Sequence, residues 1–141
     1  MDKHNDVKTD PLREKTLNLA IRTVKLYQYL TTEKKEYVVS KQLLRAGTNP
    51  GAMVREAANA ESGLDFIPKL AVAQKEIGET MYWLELLFKT GFLSSTEYES
   101  IDADSQEVMR LIRSSILTKK KRLGTKIASV ILILILILNL I

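Results

Sequence analysis

The carboxylates Glu56, Glu61, Asp65, Glu76 and Glu79 recur along two consecutive helical segments, and paired carboxylates of this kind can hold a divalent cation or relay a proton. A di-metal site in a helical bundle would add a Glu-x-x-His motif, which is absent, and the single histidine, His4, stands in a polar N-terminal arm. With no cysteine in the chain, thiolate nucleophiles, zinc ribbons, iron–sulfur clusters and disulfides are excluded, and one histidine leaves no Ser-His-Asp or Cys-His arrangement. The acids therefore read as solvated faces, caps and ion pairs. No catalytic, cofactor-binding or metal-binding residue is assigned, and the chain is not expected to be an enzyme.

A second group of residues could meet phosphate. Arg45 and Arg55, ten residues apart, together with Lys41, Lys69 and Lys75, either line a weak nucleic-acid-binding surface or form salt bridges within the bundle or between subunits, with Glu56 and Glu61 as partners. Tyr82 and Trp83 can stack on bases, but a Trp beside a leucine-rich helix face usually belongs to a core or an interface. The net charge of +4 is concentrated in Lys119, Lys120, Lys121, Arg122 and Lys126, while all seventeen acids precede them. Residues 1–118 carry sixteen basic and seventeen acidic side chains, so the body lacks the overall positive charge common in phosphate binders.

The elements that would position these residues are helical. The 141 residues suit one domain, and no strand pattern appears. After a flexible arm at 1–9, Asp10-Pro11 reads as a cap and first turn, and Leu17, Ala20, Ile21, Val24, Tyr27 and Leu30 mark a core-facing stripe of a first helix. A second helix is expected from Glu33 to about Ala60. Gly47, Pro50 and Gly51 predict either a kink near 48–50 or a split into two helices. Ser62 and Asp65 open a third helix, along which Ile67, Leu70, Ala71, Gln74, Ile77, Gly78, Met81, Leu84 and Phe88 hold the period until Gly91 stops it. Ser94 to Glu97 is a capping box for a fourth, with Ile101, Val108, Leu111, Ile112 and Ile116 as its stripe. Short connections favour an all-α, antiparallel up-down four-helix bundle over residues 10–118.

Helix three carries Phe66, Ala73, Trp83, Leu86 and Leu87 off its main stripe. Either a wide face fills its own bundle, or Phe66, Trp83, Leu86 and Leu87 form an oligomer interface. Beyond the bundle, a basic linker at 119–126 leads to the low-complexity stretch IASVILILILILNLI at 127–141. Fifteen residues rise about 22 Å as a helix, and counting from Leu123 gives about 28 Å against a bilayer core of about 30 Å. The cluster Lys119, Lys120, Lys121 and Arg122 fits a membrane-proximal flank with the bundle in the cytoplasm. The Ile-Leu alternation equally fits an expanded hexanucleotide repeat.

The ordered motifs Leu44-Arg45-Ala46-Gly47-Thr48, Val54-Arg55-Glu56-Ala57, Glu61-Ser62, Asp65-Phe66, Lys69-Leu70, Lys75-Glu76, Glu79-Thr80 and Tyr82 to Leu87 resemble the bacterial four helix bundle protein family. That family includes the protein of ribosomal RNA intervening sequences and the accessory variability determinant of diversity-generating retroelements. The resemblance covers roughly residues 10–118. It implies a four-helix protomer, assembly as a pentameric ring, a scaffold or accessory role rather than catalysis, and, in the retroelement branch, RNA and a reverse transcriptase as partners.

Overall fold

The computed structural model describes residues 10–60 and 62–140, so His4 and Glu61 lie outside the described residues. Four helices follow in order: α1 (Pro11–Thr32), α2 (Val39–Ala58), α3 (Gly63–Lys89) and α4 (Ser95–Leu140). Each packs on its neighbours around a square, α1 on α2, α2 on α3, α3 on α4 and α4 back on α1, with the diagonals out of reach. Cross-helix pairs run antiparallel at every seam, as where Arg45 meets Glu76 and Glu79 while Glu56 meets Lys69. The fold is the expected up-down bundle.

The ends of the helices follow local chemistry. Asp10 accepts from the backbone N–H groups of Leu12 and Arg13, satisfying donors that a first turn leaves free. Ser62 Oγ accepts from Asp65 N at 3.3 Å. At the start of α4, Ser94 and Glu97 exchange reciprocal bonds of 3.1 and 3.2 Å, and Gly91 supplies the positive φ of 85° that turns the chain after α3.

Three expectations are corrected. α2 begins at Val39 rather than Glu33, because α1 continues through Thr32 and Glu33 caps its C-terminus. The cap of α2 is supplied from upstream: buried Glu36 accepts from the N–H groups of Val38, Val39 and Ser40 at 3.0, 2.8 and 2.6 Å. Pro50 neither splits α2 nor ends it. The helix runs unbroken from Val39 to Ala58, with Ala46, Gly47 and Pro50 buried against the bundle, so tertiary packing overrides local propensity.

The third correction concerns which face of α1 is inside. The buried line is Leu12, Thr16, Leu19, Thr23 and Leu30, while Leu17, Ile21 and Val24 are 44%, 45% and 39% exposed. The reason lies on α2. A Cβ at Gly47 would stand 2.5 Å from Thr23 Oγ1, and one at Gly51 would lie 3.6 Å from the Thr16 backbone, so the two glycines let α1 approach with its threonines inward. Each threonine is satisfied internally, its Oγ1 donating 2.8 Å to Leu12 or Leu19 oxygen. Leucines and isoleucines from all four helices, among them Leu19, Leu43, Leu70, Ile77, Leu84 and Ile112, fill the rest of the core.

Burial opposes ionisation of Glu36, but the three backbone N–H bonds and the Ser40 hydroxyl outweigh it and hold the carboxyl below the ordinary glutamate range. A lowered folded value means stability that is full above the ordinary range and lost as pH falls through the folded one. Glu36→Ala is expected to cost about 2 kcal/mol at pH 7. In urea unfolding the gap between wild type and variant should narrow as pH falls below the ordinary glutamate range; a pH-independent gap would contradict the cap.

Candidate interaction surfaces

The α2–α3 seam gathers most of the residues singled out for phosphate. Arg45 donates from Nη2 to Glu79 Oε2 at 2.6 Å and from Nη1 to Glu76 at 3.2 Å. Its guanidinium is held further above its ordinary value by the Glu79 hydrogen bond and the field of Glu76. Lys69 Nζ lies 2.7 Å from Glu56 Oε2. Lys41, Arg55 and Lys75 are exposed on the same two helices. Acids thus alternate with bases across this face, and Glu76 is almost fully covered. Arg45 pairs with Glu76 and Glu79 rather than with Glu56, which takes Lys69. Among the described residues, no group of three or more His, Asp or Glu is placed to hold a metal ion.

The apolar excess of α3 has an internal use. Because α3 packs on both α2 and α4, it needs two inward faces, and Ala73 and Leu87 are fully buried in the core. Leu87 is therefore not available to another subunit. Phe66 and Trp83 are half-buried against the core, and Leu86 is half-buried. Tyr82 meets Trp83 edge-on at 4.8 Å. Trp83 Nε1 is the one side-chain polar atom among the described residues that is buried without a partner, a cost of about 1–3 kcal/mol.

The surplus surface sits instead on α1. Leu17, Ile21 and Val24 follow one another at steps of four and three, with half-buried Ala20 and Tyr27 beside them, and form an apolar stripe along the outer side of the helix. The signal was present in the sequence as Gly47 and Gly51, one turn apart, which call for small residues on the facing helix. Arg22 ties α1 to α4: its guanidinium donates to Asp104 at 2.6 Å and to Ser100 Oγ at 2.8 Å.

The last surface is the far half of α4. The helix passes without a break from the bundle through Lys119, Lys120, Lys121 and Arg122 into the apolar stretch, so the basic segment expected as a linker is helical. From Gly124 onward every described residue is exposed. This is the one described helix long and apolar enough to cross a membrane, with a mean hydropathy of 2.3 over its 18-residue window. Where α4 leaves the bundle, Lys119 Nζ lies 5.1 Å from the centre of the Phe66 ring.

Comparison with known proteins places the bundle on a common scaffold. A protein of unknown function from the S23 ribosomal protein family of Bacteroides thetaiotaomicron VPI-5482, solved by crystallography, is 50% identical over 74% of this chain and 97% of its own, with a TM-score of 0.74. No curated protein matches. The pattern of the 23S rRNA-intervening sequence protein matches residues 11–114, which span all of α1, α2 and α3 and most of the bundled part of α4. This chain belongs to the 23S rRNA-intervening sequence protein family.

Proposed function

We infer that the protein is a non-enzymatic scaffold that self-associates through α1 and is tethered to a lipid bilayer by the apolar part of α4. The observation that carries the first half is the exposed stripe of Leu17, Ile21 and Val24 on a helix whose other side is fully committed to the core. A ring of five is the assembly that the family resemblance implies. The half-exposed edge at Trp83 and Leu86 offers the complementary side of a head-to-tail contact, because a closed ring needs two different patches on each copy.

An accessory role toward RNA or a reverse transcriptase is the weaker reading. Two of the five candidate cations, Arg45 and Lys69, already neutralise acids of their own bundle, which leaves few to displace counterions from a phosphate backbone.

The tether is favoured by a specific arrangement. A helix of about 27 Å from Leu123 to Leu140, apolar apart from Thr125, Lys126, Ser129 and Asn139, follows directly on four consecutive basic residues. Those cations favour the cytoplasmic side for the bundle.

Light-scattering mass of residues 1–122 at tens of micromolar tests the association. A multimer is expected for wild type, and Ile21→Glu should give a monomer of unchanged helicity. A monomeric wild type would refute the α1 interface.

A further inference from the structure

At the point where α4 leaves the bundle there is a cleft of about 320 Å3 between the first turns of α3 and the middle of α4. Its walls are Phe66 on one side and Ser114, Ser115, Thr118, Lys119 and Arg122 on the other. We propose that this cleft binds the phosphate of an anionic phospholipid headgroup, seated there while the apolar segment that follows lies in the bilayer. The inference rests on the tether proposed above and adds a defined lipid site to it.

Three observations converge on that ligand. First, the lining chemistry is that of an anion site: three hydroxyls and two cations, with no carboxylate among the lining residues. The nearest acid in sequence, Asp65, accepts instead from Ser62 Oγ at 2.9 Å. Second, the hydroxyls are free to donate. Elsewhere in the bundle Thr16, Thr23, Thr48, Thr80 and Ser105 donate to the carbonyl four residues back, and so do Thr125 and Ser129 further along α4. Among the described residues, Ser114, Ser115 and Thr118 make no such bond and have no other partner. A phosphate has the acceptor oxygens to use all three.

Third, the depth is right. With the hydrocarbon boundary at Leu123, a rise of about 1.5 Å per residue puts Lys119 about 6 Å and Ser115 about 12 Å outside it. The headgroup zone extends about 5–8 Å from the hydrocarbon on each side. A lipid phosphate at that depth therefore sits level with Thr118 and Lys119, with Ser115 and Ser114 about one turn further out. Lys119 is held over the Phe66 ring, so its ammonium is placed at the mouth of the cleft rather than free in solution.

The hydroxyls separate a built site from general attraction between a basic cluster and an anionic surface. The full chain is reconstituted in phosphatidylcholine vesicles containing 20% phosphatidylglycerol, floated, extracted in mild detergent, and its co-purifying lipid quantified. Wild type should carry phosphatidylglycerol enriched at least threefold over the bulk. Ser114→Ala/Ser115→Ala/Thr118→Ala keeps every charge, substitutes the best helix former, and should float equally while losing most of the enrichment. Lys119→Gln should also lose it.

Equal enrichment in the triple variant would overturn the cleft while leaving the tether standing. Failure of wild type to float would remove both. If 10 mM inorganic phosphate abolishes the enrichment, the site serves a soluble phosphoryl anion and the lipid assignment falls. The same holds if a short single-stranded RNA displaces the lipid at physiological salt, which would assign the cleft to nucleic acid.

Discussion

A chain ending at Arg122 is expected to stay dispersed in aqueous buffer as a cooperatively folding helical bundle, whereas the full chain requires detergent or lipid. The deletion removes no core residue, since Leu123 is half-buried outside the core cluster and every described residue from Gly124 onward is exposed. Its effect is large because twelve of residues 127–141 are Ile, Leu or Val. At about 1.5–3 kcal/mol each on full burial, they represent on the order of 20–30 kcal/mol of drive to leave water. The four cations ahead of them contribute about 1 kcal/mol each near anionic lipid, enough to orient the segment but not to hold it in water. Ultracentrifugation of cell extracts and vesicle flotation of the two chains provide the measurement. A full chain that remains in the soluble fraction would mean that the segment is covered by protein, and the tether would be wrong.

Gly47→Ala is expected to destabilise the bundle even though it improves helix propensity. The new methyl carbon would lie 2.5 Å from Thr23 Oγ1, 2.7 Å from its Cγ2 and 3.0 Å from its Cβ. Thr23 is a β-branched side chain with a stiff χ1, is fully buried, and is anchored by its bond to Leu19 oxygen, so it cannot swing away. Overpacking of about 1–3 kcal/mol outweighs the gain of about 1 kcal/mol from replacing a helical glycine. Gly47→Leu should cost about 3 kcal/mol or more. Thr23→Ala removes the two closest atoms and should restore most of the loss in the Gly47→Ala background. Gly78→Ala, with nothing within 4 Å, should move stability the other way. Urea midpoints of the four variants check the sign of each; a stabilising Gly47→Ala would show that α1 and α2 separate at little cost.

What the sequence made legible was whatever depends on short-range chemistry. The caps at Asp10, Ser62 and Ser94, the stop at Gly91 and the α4 stripe were all readable because each is decided within four residues. The inward face of α1 was not, because it is decided by a glycine on another helix. Counting Leu17, Ile21 and Val24 as core treats hydrophobicity as the only criterion of burial. Thr16 and Thr23 win the interior on size and on their ability to satisfy their own hydroxyls. Hydrophobicity alone likewise assigns the apolar surplus to α3, where Leu87 and Ala73 serve a second neighbour. The α2–α3 ion pairs are half legible: charge and spacing suit Arg45 to pairing, but its partners lie thirty-one and thirty-four positions away. The cleft beside Phe66 was invisible, since only the fold brings the start of α3 to Thr118 and Lys119.

The unbroken course of α4 has a kinetic meaning for assembly. A bundle joined to its anchor by a loose linker would tumble above the bilayer and present its α1 stripe in every direction. Here the bundled and the apolar parts of α4 belong to one helix, so under the proposed tether the bundle would stand upright with the stripe facing sideways, parallel to the membrane plane. Encounters between copies then become a two-dimensional search among molecules already held at the right height and tilt. Confinement of this kind raises the effective concentration of a weak patch without adding a single contact. Three exposed aliphatic side chains, too few to hold a dimer at nanomolar levels in solution, can suffice for partners that meet only edge to edge.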